Sequence, residues 1–74
     1  MMKKYGLFID EEKIFTSTDL AEVLEEYYNE IGEYDEVVFS DMRANNFYCA
    51  CVASGDTLTN IYVKPIFEWN RFLT

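Results

Sequence analysis

The clearest periodicity in this chain is helical and lies between Asp19 and Gly32. Leu20, Val23, Leu24, Tyr27 and Ile31 recur at intervals of three and four and form one apolar stripe. Thr18 or Asp19 can N-cap the helix, Asp19 and Glu22 suit its first turn, and Gly32 supplies the C-cap. A helix with one apolar stripe must bury it against another element. The neighbouring segments read at period two. Residues 4–9 place Tyr5, Leu7 and Ile9 on one face, a polar turn follows over 10–13, and Ile14, Phe15 and Thr16 return as the second arm of a hairpin. After the helix, Glu33, Tyr34 and Asp35 lead into a strand over 36–42, and residues 43–46 turn. Residues 47–53 are apolar on both faces and read as a central strand, residues 54–57 turn again, and 58–64 form a further strand. Pro65 ends that strand and can open a short helix, because Ile66, Trp69 and Leu73 suit helical spacing; an extended tail is the alternative.

The expected fold is therefore α+β: one domain over 1–74, with a small antiparallel sheet in ββαβββ-like order. One acidic amphipathic helix, over about 18–32, packs against the sheet. A chain of 74 residues has a thin core, since it buries only roughly 60% of its unfolded surface. Six Phe, six Tyr and one Trp exceed what such a core encloses, so some aromatics belong at the surface. The cluster from Tyr62 to Phe72 has two readings. Trp69 and Phe72 close the sheet or pack under the helix, or they form an exposed patch for dimerisation or a partner.

Charge is segregated along the chain. Eleven of the fourteen acids lie between Asp10 and Glu36, interrupted only by Lys13, so that stretch carries −10 and the remainder +2. On the helix, Glu22, Glu25, Glu26, Asn29 and Glu30 oppose the apolar stripe, with no Lys or Arg among them. Glu22/Glu26 and Glu26/Glu30 are like-charged pairs that each cost about 0.2–0.5 kcal/mol. The four carboxylates cover ~12 Å of axis, about one per 3 Å, close to the ~3.4 Å phosphate spacing on one strand of B-DNA. Glu33, Asp35 and Glu36 extend this surface, as do Asp10, Glu11 and Glu12 in the hairpin turn, and Tyr28 and Tyr34 lie among the acids. Aromatics within carboxylates suit an Arg-rich partner. The competing reading is a solvated acidic face that only promotes solubility.

Other chemistries find little support. Zinc wants four ligands; the chain has no His and two cysteines, Cys49 and Cys51, so a site would need two chains or carboxylates. Buried reduced thiols in a central strand are the expectation, and an i,i+2 disulfide on a strand is geometrically poor. Asp10, Glu11 and Glu12 lack the alternating pattern of a calcium loop. Gly6, Gly32 and Gly55 are too scattered for a phosphate loop, and no nucleophile–base pair is evident. No catalytic residue, metal ligand or cofactor is assigned, and the chain does not read as an enzyme. Direct nucleic-acid binding is disfavoured by six bases against fourteen acids. The apolar run after Lys3 and Lys4 ends at Asp10, too short for a signal or a membrane span, so a cytoplasmic address is expected.

In size, acidity, aromatic content and lack of catalytic residues, the chain resembles in kind the antirestriction and anti-CRISPR proteins of phages and mobile elements. That resemblance aligns no residues. It implies an inhibitor, with DNA mimicry as one mode of action, that acts in a host cytoplasm on a basic protein, such as a nucleic-acid-binding enzyme or complex. The partner-binding residues would be Glu22, Glu25, Glu26, Glu30, Glu33, Asp35, Glu36, Tyr28 and Tyr34. The alternative is a structural or adaptor module that forms a homodimer through its sheet edge or C-terminal aromatics, with its acids merely solvated.

Overall fold

The computed structural model describes residues 2–43 and 47–68, with side chains placed for 4–40 and 47–66. The elements run β1 (Met2–Ile9), β2 (Glu12–Ser17), α1 (Leu20–Ile31), β3 (Glu36–Arg43), β4 (Phe47–Ser54) and β5 (Thr57–Glu68). The expected α+β class and ββαβββ order are found. The strands form one antiparallel sheet in the order β2-β1-β5-β4-β3. The last strand thus lies between the first and the fourth. The chain leaves the sheet at one edge, β2, and returns at the other, β3. Four strand spacings separate those edges by ~19 Å, and a twelve-residue helix is ~18 Å long. The helix rests on β1, β2 and β5, and among the described residues no helix is long and apolar enough to cross a membrane.

A short polar relay sets the helix start. Asp19 is the N-cap, its Oδ1 accepting from the Ala21 N–H at 3.0 Å. The Ser17 hydroxyl accepts from the Asp19 N–H at 3.0 Å and donates to Glu22 Oε1 at 2.6 Å. Two otherwise orphaned features of the helix entrance are thereby joined to the end of β2. At the other end the Gly32 N–H reaches back to the Tyr28 and Glu30 carbonyls.

The core is made by one face of the sheet and the helical stripe. Leu7, Val23, Tyr27, Ala50, Val52, Ile61 and Val63 are buried, with Tyr5, Ile9, Phe15, Leu20, Leu24, Ile31, Tyr34 and Tyr48 packed around them. Burial pushes the Tyr27 phenol from its ordinary 10 up to about 12, with nearby Cys49, Tyr28 and Tyr48 adding to the rise. The native chain therefore holds this proton after the unfolded chain has released it. Stability should be complete below about pH 10 and fall by about 2–3 kcal/mol as pH rises from 10 to 12. Alkaline denaturation followed by circular dichroism checks this, and Tyr27→Phe should remove that component.

Two expectations need correction. Pro65 does not end its strand: β5 continues to Glu68, pairing with β1 from Tyr5↔Pro65 to Met2↔Glu68. Among the described residues, pairing with β4 reaches only Val63, and a missing N–H is tolerated where no ladder bond is made. The final helix is thus replaced by extended chain over 65–68, and Trp69, Phe72 and Leu73 lie outside the described residues. Second, Cys49 and Cys51 are free but only half-buried, because they stand on the face turned away from the helix. β4 itself is a central strand of the sheet, as expected, between β5 and β3. Apolar residues on both faces of a strand signal a covered sheet only if a second layer is supplied, and among the described residues there is a single helix.

Candidate functional site

The topology gathers acids that the sequence keeps apart. β1 ends opposite Ile61, four residues after the start of β5 at Thr57. The β4–β5 turn and the start of β3 lie toward the same end of the sheet, since Ser54 pairs with Thr57 and Glu36 with Ala53. Asp10, Glu11 and Glu12, then Asp56, then Glu33, Asp35 and Glu36 consequently lie toward one end of the sheet but in a staggered arrangement, with Asp10 level with Asn60 and the Asp56 turn ~13 Å farther along the strands. All seven are exposed. Lys13, opposite Phe8, is the nearest base in register.

Two of these acids also hold the end together. Asp10 adopts a positive φ of 55°, which Asp tolerates better than most residues. Its N–H donates to the Asn60 carbonyl at 2.7 Å, and its Oδ1 accepts from the Asn60 N–H at 3.1 Å. Asp35 donates its N–H to the Ala53 carbonyl at 3.1 Å and accepts from the Ser54 hydroxyl at 3.3 Å. The β1–β2 turn and the α1–β3 link are thus clamped to the sheet, giving the carboxylates a fixed platform. Among the described residues no group of three or more metal-ligating side chains converges on one point. Spread carboxylates suit an extended cationic surface better than a single ion.

The expected site residues divide. Glu33, Asp35 and Glu36 join the acidic end, and Glu30 lies on the last turn of the helix leading to it. Glu22 and Glu25 are exposed near the opposite end of the helix, where Glu22 serves the Ser17 relay. Glu26 and Glu30 are half-buried at the helix flank, so the four helical carboxylates wrap around the cylinder instead of forming one ridge. Tyr28 is 59% exposed and meets the Tyr27 ring edge-on, at 5.1 Å between centroids. Tyr34 is half-buried against the core. Asp56 was not anticipated; the signal was there in its Ser-Gly-Asp-Thr turn, but only the strand order brings that turn toward the same end of the sheet as Asp10 and Glu36.

A second surface lies on the face of the sheet turned away from the helix. Phe8, Tyr62 and Phe47 stack across three strands, with centroid separations of 5.2 and 6.2 Å and ring planes within 8° of parallel. The Lys64 ammonium sits 4.9 Å from the Phe8 ring centre and 5.8 Å from that of Tyr62. Gly6 leaves room for this arrangement: a Cβ there would meet the Phe8 ring at 2.8 Å. An open hollow of about 330 Å³ adjoins the stack, lined by Phe39, Phe47, Cys49, Ala50, Asn60 and Tyr62. No family model, no curated protein and no solved structure matches the chain.

Proposed function

We propose that this protein is a non-catalytic inhibitor that covers a basic, nucleic-acid-binding surface of another protein with its acidic end. The observation that carries this reading is the convergence of Asp10–Glu12, Asp56 and Glu33–Glu36 on one clamped end of the sheet. Seven exposed carboxylates spread toward one end of the sheet give a concentrated negative surface, and preorganised charge loses little freedom on binding. The helix adds Glu30 beside this surface, while Glu22 and Glu25 extend the negative field along the molecule. The antirestriction and anti-CRISPR resemblance agrees with this chemistry, and the proposed site of action is a host cytoplasm.

The experiment is affinity capture from the native host, followed by competition. The captured protein should be basic and should bind nucleic acid, and duplex DNA should displace it from the inhibitor. Affinity should fall steeply as salt rises from about 50 to 500 mM, because the Debye length contracts from about 14 to 4 Å. A partner indifferent to both DNA and salt would overturn the reading.

A further inference from the structure

We infer that β3 is a pairing edge and that its occupant is β3 of a second copy, so that two five-stranded sheets join side by side. The two edges of the sheet differ. β2 has six residues and carries the helix. β3 has eight, stands apart from the strands on which the helix rests, and pairs with β4 alone among the described residues. Residues 36–40 are all exposed, and Val37, Val38 and Phe39 make an unbroken apolar run at 45%, 54% and 51% exposure. An edge strand presents a row of unpaired backbone N–H and C=O groups, which proteins blunt with charge, proline or a covering element. Between Val37 and Ser40 none of these is present, and three successive exposed apolar residues do the opposite.

The strand is complementary to itself. Its register with β4 assigns Glu36, Phe39, Asp41 and Arg43 to the face turned away from the helix and Val37, Ser40 and Met42 to the helix side, with Val38 as the extra residue of a bulge. Glu36 and Arg43 would fall on opposite faces of a regular strand, because an odd number of residues separates their positions. The bulge puts them on one face, each three paired positions from Ser40. An antiparallel seam about a two-fold axis through Ser40, normal to the sheet, therefore sets Glu36 of each copy opposite the partner's Arg43 and keeps every pair on a common face. The neighbouring symmetric registers are worse. A centre at Phe39 sets Asp41 against Glu36, a centre at Asp41 sets that residue against itself, and like charges directly opposite are destabilising. Registers centred elsewhere on β3 pair three positions at most. This pattern distinguishes another β3 from strands in general and fixes one register for it. An isologous seam of this kind is closed, since each copy offers its one β3 edge to the other. Seven paired positions at ~3.3 Å give a seam of ~23 Å, a small contact, so association should be weak and reversible.

The test is sedimentation of the full chain over about 1–500 µM, with the register read by cross-linking. The expected result is a reversible shift from 8.7 kDa to twice that mass. Ser40→Asp sets two carboxylates against each other at the axis and should raise the dimer dissociation constant at least about tenfold. Ser40 is exposed, so circular dichroism should stay native, and Ser40→Asn, which adds no charge, should keep the dimer. In a Cys49→Ala/Cys51→Ala background, Ser40→Cys should form an intermolecular disulfide under mild oxidation much faster than Thr18→Cys, an exposed position after the opposite edge strand. A single 8.7 kDa species throughout, a dimer indifferent to Ser40→Asp, or Ser40→Cys that cross-links no faster than Thr18→Cys would each overturn the inference. Of the seven exposed acids toward the end of the sheet only Glu36 enters the seam, and none of these variants removes it. Ser40→Asp adds negative charge, so it should not weaken capture of a basic partner. Loss of the dimer and loss of that partner are therefore separate results.

Discussion

Tyr27→Ala is expected to leave the chain largely unfolded at 25 °C. The ring is 2% exposed and is the largest of the fully buried side chains among the described residues. It sits where the helix meets the sheet, with Tyr48 of β4 6.1 Å away and Tyr28 of its own helix 5.1 Å away. Truncating a buried aromatic costs about 3–5 kcal/mol through lost transfer and the cavity left behind. A domain of this length has only about 4–11 kcal/mol in total, and a single thin core favours the lower part of that range. A larger protein would absorb the loss; here few neighbours remain to collapse into the space. Tyr27→Phe keeps the ring and should stay folded, while losing the stability change between pH 10 and 12. Near-ultraviolet circular dichroism and thermal melts distinguish the outcomes. A cooperative, native-like melt from Tyr27→Ala would mean that the helix is not the lid of this core.

Glu11→Lys/Glu33→Lys/Glu36→Lys is expected to weaken binding to a basic partner at least about 100-fold, near 2.7 kcal/mol, because like charges across an interface cost several kcal/mol. All three side chains are exposed, and the variant spares Asp10 and Asp35, whose hydrogen bonds clamp the end together. Circular dichroism and the melting curve should therefore change little. Glu22→Lys/Glu26→Lys/Glu30→Lys is the companion variant. It relieves two like-charged pairs worth about 0.2–0.5 kcal/mol each and alters the field mainly along the helix. If the acidic end carries binding, the first triple variant should lose far more affinity than the second. Equal losses would show that the whole negative side is read without regard to its end. Unchanged binding by both folded variants would reduce the acids to a solvated surface.

The helix was legible in the sequence because its determinants are local. The stripe from Leu20 to Ile31 and the cap at Asp19 depend on spacings of three or four residues, and the same is true of the turns around Asp10 and Gly55. The alternation of Tyr5, Leu7 and Ile9 likewise assigned the core face of β1. Strand order depends on something else. Nothing in residues 57–68 states that they pair with β1 on one side and β4 on the other; that follows from the helix returning the chain at the far edge of the sheet. The fate of Pro65 was hidden for the same reason, since its tolerance depends on how far β4 extends beside it. The two surfaces have the same origin. Composition announced an acidic chain with surplus aromatics, because charge and apolarity belong to residues singly. Only long-range pairing could bring Asp56 toward the same end of the sheet as Asp10 and Glu36, and Phe8 beside Tyr62, because each of those relations joins residues 20 or more positions apart.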